Sequence, residues 1–124
     1  MGYPVTLRFD HILIPPGECL PCVSEPLPVG TAFHPSAMTV VCMNLGQTGH
    51  ELPSSVDVER VYVGAEEQSF HSRNGALLAQ NLDDPLELSA EISPVNTHQT
   101  VTIWAKNITH RIVRFLPLLH GVRE

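Results

Sequence analysis

The sequence predicts an all-β protein, a β-sandwich built as a single jelly roll of about eight short strands. Three observations carry that expectation. Leu86-Glu87-Leu88-Ser89-Ala90-Glu91-Ile92 alternates apolar and polar residues without a slip, and Val101-Thr102-Ile103-Trp104-Ala105-Lys106 does nearly the same. A period of two sends successive side chains to opposite faces, so each stretch reads as a strand with one buried face. Turn-forming residues recur between such stretches, and no comparable pattern marks a helix.

The first strand is Val5-Thr6-Leu7-Arg8-Phe9, with Val5, Leu7 and Phe9 on one face. A phase change at Asp10-His11 before Ile12-Leu13-Ile14 predicts a bulge or bend. Pro15-Pro16-Gly17 stops the run, and Pro21, Pro26, Pro28, Gly30 and Pro35 follow. So many breakers exclude a helix or a central strand, which leaves an extended proline-rich loop over 15–35 with room for a short edge strand. Met38–Met43 is the next strand, and a polar loop spans Asn44–Ser55. In Val56–Val63 the apolar parity switches between Val58 and Val61, so a bulge is expected near Glu59-Arg60. Gly64 ends that strand. Glu66–Asn74 reads as a loop with Phe70 as its one core anchor, and Ala76–Gln80 fits a short helix or a strand. The last strand is Arg111–Leu116, closed by Pro117, with Leu118–Glu124 as a tail. Strand number and spacing suit a jelly roll, with an immunoglobulin-like sandwich as the alternative topology.

The 124 residues suffice for one domain, 1–124, with a core that needs no metal or disulfide staple. A net charge of −6 opposes binding nucleic acid through its phosphates. No apolar run approaches the roughly 18 residues of a membrane span, and the N-terminus lacks a secretory pattern. Lys106 is the only lysine, beside six arginines and thirteen acids. Charged residues make up only 16% of the chain, which with eleven prolines suits faces covered by neighbours.

No motif for catalysis emerges. Cys19-Leu20-Pro21-Cys22 has the spacing of a metal-binding or redox pair, and His34 and Cys42 would complete a Cys3His zinc set. That set has no second CxxC. The redox reading lacks the helix that would lower a thiol's pKa, because Pro26 and Pro28 follow. Free cysteines in a reducing compartment are the alternative. The seven histidines lack the closely spaced pair that a cupin metal site requires. Ser, His and Asp occur without a nucleophile elbow. Asn107-Ile108-Thr109 is a glycosylation sequon, inert without secretion. Trp104 lies opposite the apolar face of its strand and reads as a packing residue on a loop or a neighbouring subunit.

The order of these segments is more telling than any one of them. Ile14-Pro15-Pro16-Gly17 comes first, then Phe33-His34-Pro35 leading into Met38-Thr39-Val40. Val56–Gly64 with Gln68 follows, and Val101–Asn107 and Arg111–Gly121 close the chain. This order resembles small single-domain β-sandwich proteins encoded by bacteriophages and related viruses, jelly-roll components of the particle shell. The resemblance implies a non-enzymatic virion protein without cofactor or active site, made in the host cytoplasm. It would be a capsid, vertex or decoration subunit whose partners are copies of itself or other shell proteins. Trp104, Phe115, Leu118, Leu119 and Val122 are the candidate contact residues, the last four in a C-terminal segment expected to reach neighbours. The alternative is a soluble ligand-binding β-sandwich or a cupin-like metal protein.

Overall fold

The computed structural model describes residues 2–27, 32–44, 56–68, 77–78, 86–87, 94–96 and 98–123. These residues are all-β and form two antiparallel sheets. The strands are β1 (Tyr3–Arg8), β2 (Ile12–Ile14), β3 (Cys19–Val23), β4 (Phe33–Asn44) and β5 (Val56–Val63). They continue with β6 (Glu66–Gln68), β7 (Leu77–Leu78), β8 (Leu86–Glu87), β9 (Val101–Asn107) and β10 (Val113–Arg123). One sheet has the order β1-β10-β4-β8, with β2 also on β10. The other has the order β3-β9-β5-β6, with β7 also on β5.

Alternation does what the sequence predicts. Val101, Ile103 and Ala105 of β9 and Val113, Phe115 and Leu119 of β10 are buried, and residues of both sheets join in one apolar cluster. Each of these side chains other than that of Ala105 stabilises the fold by about 1.5–3 kcal/mol relative to exposure. The parity switch in β5 is the expected bulge: Val58 pairs with Ala105 and Arg60 with Trp104, leaving Glu59 as the extra residue. Val56, Val58, Val61 and Val63 therefore all face inward. Gly64, at φ 59°, opens the tight turn from β5 to β6, where a left-handed residue is required. The Glu66–Gln68 stretch, expected to be loop, is strand because this turn folds it straight back onto Tyr62.

The phase change after β1 is also a bulge. Pairing with β10 stops at Arg8↔Leu118 and resumes at Ile12↔Phe115, so three residues span what two span opposite. Phe9 leaves this edge and bridges Ser24 instead. Opposite the gap lies Pro117, fully buried in mid-strand. This corrects the expectation that Pro117 ends the last strand. A proline costs a sheet only the bond its missing N–H would donate, and here the neighbouring strand has stepped aside. Its other partner, Val40, pairs without a break. Leu118–Arg123 is therefore not a tail but the second half of a central strand flanked by β1 and β4.

Within the proline-rich stretch, β3 is the anticipated edge strand, paired only with β9. Pro21 is exposed at that edge, where a missing donor costs least. Leu77–Leu78 pairs as strand with β5, which settles the ambiguity there. Of the predicted Leu86–Ile92 strand, Leu86–Glu87 pairs with β4. Leu88–Ile92 and Phe70 lie outside the described residues.

Candidate functional site

Register sorts the candidate residues by face. The zinc set falls apart on this test. On β3, Cys22 points inward and is fully buried, whereas Cys19, three residues earlier on a strand, points outward. Cys42 faces the core from the other sheet, and His34 is exposed on that sheet's outer side. Four side chains on four different sheet faces cannot converge on one ion. The same opposition separates Cys19 from Cys22 as a redox pair, and none of the three cysteines is in a disulfide. Cys22 Sγ donates to the Asp10 carbonyl at 3.1 Å. Burial, with the Asp10 charge second, pushes its pKa up to about 12. Cys19 is raised as well, by burial first and then by the Glu59 carboxylate, against the pull of Arg60 and Lys106.

Among the described residues no three His, Cys, Asp or Glu side chains cluster to hold a metal ion. His120 has a structural role: Nδ1 lies 3.0 Å from the Thr6 hydroxyl and Nε2 lies 2.8 Å from the Thr39 hydroxyl. The ring thus ties β1, β10 and β4 together across the outer face of their sheet.

The sequon has a different use from the one its pattern suggests. Asn107 is fully buried, and Nδ2 donates to the Ile14 carbonyl at 2.8 Å and the Arg111 carbonyl at 2.6 Å. Oδ1 accepts from the Thr109 backbone N–H and hydroxyl, at 2.8 and 2.7 Å. Both hydrogens and both lone pairs are used, so the nitrogen that would carry a glycan is unreachable in the folded chain. The backbone of Asn107 also bonds with Gly17 and Glu18. One side chain thereby pins the β2–β3 turn to the β9–β10 connection.

The five candidate contact residues divide. Phe115 is fully buried and Leu119 is 3% exposed, so both are core residues of this chain rather than contact residues. Inward parity on β10 is the reason, and for Leu119 the supposed stop at Pro117 hid it from sequence reading. Leu118 is half-buried and Val122 is 40% exposed on the outer face. Trp104 lies on the outer face of the other sheet, with the Arg60 guanidinium 5.0 Å from its ring centroid. It packs within its own chain, as a cation–π pair.

No protein-family model, curated protein or solved structure matches this chain. Function must be argued from the faces themselves.

The outer face of the β1-β10-β4-β8 sheet carries the strongest signal. Leu13 is 44% exposed and Val122 40%. Between them Leu116, Leu118 and Val41 are half-buried. Leu116 pairs with Val41 and Leu118 with Thr39, so these side chains share one face. The outward positions of β10 read Arg114, Leu116, Leu118, His120 and Val122, so the apolar ones are interrupted by a charge and by the His120 tie. Their placement beside Leu13, Val41 and Arg8 is set by the register.

Proposed function

We propose that this chain is a non-enzymatic structural subunit of a bacteriophage or related virus particle, a single jelly roll that packs beside copies of itself or other shell proteins. The strand order supports the jelly roll. Such a fold wraps an eight-stranded antiparallel ribbon so that its first and last strands pair, then second with seventh, third with sixth and fourth with fifth. Counting β1/β2 as one strand and β6/β7 as another, the ladders β1–β10, β3–β9, β4–β8 and β5–β6 fill that scheme.

The observation that carries the assembly role is the outer face bearing Leu13, Leu116, Leu118 and Val122. Exposed and half-buried apolar side chains, interspersed with Arg8, Arg114 and His120 on a sheet face with no covering element among the described residues, favour a mixed apolar and polar contact with a neighbour. Attribution to a virion, rather than to a cellular assembly, draws on the resemblance in segment order. The net charge of −6 suits a position away from a packaged genome.

Light scattering of the purified chain, with electron microscopy of the same sample, tests this reading. Discrete rings, pentamers, shell-like particles or addition onto an empty viral shell are expected. Leu13→Glu with Val122→Glu should leave a folded monomer. A wild-type monomer at every concentration would refute the proposal.

A further inference from the structure

The two outer faces of the sandwich differ in charge. On the β1-β10-β4-β8 sheet the charged side chains that point outward are Arg8 and Arg114, both exposed, and among the described side chains no acid accompanies them. Asp10 and Glu25 lie at the rim between the sheets instead. The Asp10 charge acts on the inward Cys22 thiol, and Glu25 Oε1 stands 3.4 Å from the Arg8 backbone N–H. In a chain of net charge −6 this face is locally basic. Around its two arginines the floor is aliphatic, from Leu13, Leu116, Leu118 and Val122.

The β3-β9-β5-β6 sheet has the opposite character. Glu67, the register partner of Tyr62, is exposed, and Glu59, the extra residue of the β5 bulge, is half-buried. The charges of Glu59, Arg60 and Lys106 all act on the outward Cys19 thiol, which gathers them on this one face. Both cations have company there: Arg60 lies over the Trp104 ring, and Lys106 is the register partner of Asp57. Three acids, Asp57, Glu59 and Glu67, thus stand against two cations. The apolar part is aromatic as well as aliphatic, with Trp104 and Tyr62 half-buried and Val23 48% exposed. Trp, Tyr and Arg are the residue types that most often anchor a protein contact.

We infer that these faces are the two halves of one contact, in which the β1-β10-β4-β8 face of one copy docks on the β3-β9-β5-β6 face of the next. Arg8 and Arg114 meet Glu59 and Glu67, and the aliphatic floor meets Trp104, Tyr62 and Val23. The inference rests on the assembly reading above and adds the mode of assembly. A twofold contact of either face with itself would set like charges against each other, which costs affinity. Face-to-back docking is heterologous, so every added copy presents again the face that the next one needs. Such copies close into a ring where the rotation between them divides a full turn, and otherwise run on as a filament.

Charge reversal on one face at a time tests this mode, read by sedimentation velocity of the full-length chain. Arg8→Glu with Arg114→Glu leaves both faces acidic, and Glu59→Lys with Glu67→Lys leaves both basic. Each pair should weaken self-association at least about tenfold while keeping the far-UV circular dichroism of wild type. An equimolar mixture of the two, and a single chain carrying all four substitutions, should assemble as wild type does, and that recovery shows each variant to be folded. Glu67→Lys alone, at an exposed position, should give an intermediate loss. The inference is overturned if the Glu59 and Glu67 pair assembles like wild type, because a twofold contact through the first sheet would be lost only in the arginine variants. Failure of both the mixture and the fourfold variant to recover overturns it equally. Either result leaves the assembly reading standing, whereas a wild-type chain that is monomeric at every concentration overturns both.

Discussion

Gly121 of β10 faces the backbone carbonyl of His34 so closely that a Cβ on it would fall onto the carbonyl oxygen, with the Phe33 ring only 2.8 Å away on another side. The register between β10 and β4 shifts at this point, between His120 and Gly121.

Gly121→Ala is therefore expected to destabilise the chain by about 1–3 kcal/mol through overpacking against atoms that cannot move aside. Gly17 is the control. A Cβ there meets nothing within 4 Å, so Gly17→Ala carries only the penalty of its positive φ, about 1 kcal/mol. Urea denaturation should rank the midpoints wild type, Gly17→Ala, Gly121→Ala. The reverse ranking of the two variants would contradict the close approach.

Asn107→Ala removes the amide donor to the Ile14 carbonyl and one of two side-chain donors to the Arg111 carbonyl, the other being the Thr109 hydroxyl at 3.1 Å. Leaving buried acceptors unmet costs on the order of 2–4 kcal/mol in total. Asn107→Asp should be at least as harmful, because a carboxylate then faces two carbonyl oxygens. Thermal unfolding of both variants checks this, and a near-neutral Asn107→Asp would show that the amide orientation is not what holds the turn.

Cys22 makes stability pH-dependent in the alkaline range. The ordinary thiol value is 9.0, and the folded chain holds its proton up to about 12. Between those values the unfolded chain has released a proton that the folded chain still binds, so stability falls as pH rises. The slope from this group is about 1.4 kcal/mol per pH unit, with no contribution below 9. Denaturation midpoints measured from pH 8 to 11 should fall more steeply in wild type than in Cys22→Ala. Parallel profiles would exclude the raised thiol.

Thiol labelling separates the three cysteines by face. At pH 8 a thiol reagent should modify half-buried Cys19 slowly and leave Cys22 and Cys42 untouched until denaturant is added. Mass spectrometry of the labelled chain reads the sites. Rapid loss of the Cys22 thiol in the folded protein would place that strand in the opposite register.

Arg60→Ala should uncover the only tryptophan of the chain. The pair is worth about 0.5–1 kcal/mol at a partly exposed site, so stability changes little. Acrylamide quenching of Trp104 should nevertheless increase. Unchanged quenching would mean that the guanidinium does not shield the ring.

Much of this fold is legible in the sequence because alternation and parity are local. The switches at Asp10-His11 and at Glu59-Arg60 mark real bulges, since a hydrophobic face must stay buried and only an extra residue can restore its phase. Pro117 misleads for the same reason that it is tolerated. Whether a proline ends a strand depends on what its missing donor faces, and that is fixed by Phe9, more than a hundred positions away. The CxxC misleads because its spacing is defined along the chain, whereas β3 turns an interval of three into opposite faces. The grouping of Leu13, Leu116, Leu118 and Val41 on one outer face had no signal in one dimension, because it collects residues from strands that meet only through register.

The central place of β10 also bears on how the chain comes to be folded. Its neighbours β1, β2 and β4 were all synthesised earlier, and none of them pairs with another. On a ribosome β1 and β2 emerge without a sheet partner and β4 meets only the short β8, while the template that all three share follows them. The first sheet can close only when residues up to Arg123 are free of the exit tunnel, so its folding waits on their synthesis. Until then, its waiting edges are the part of the protein most in need of protection from other nascent chains.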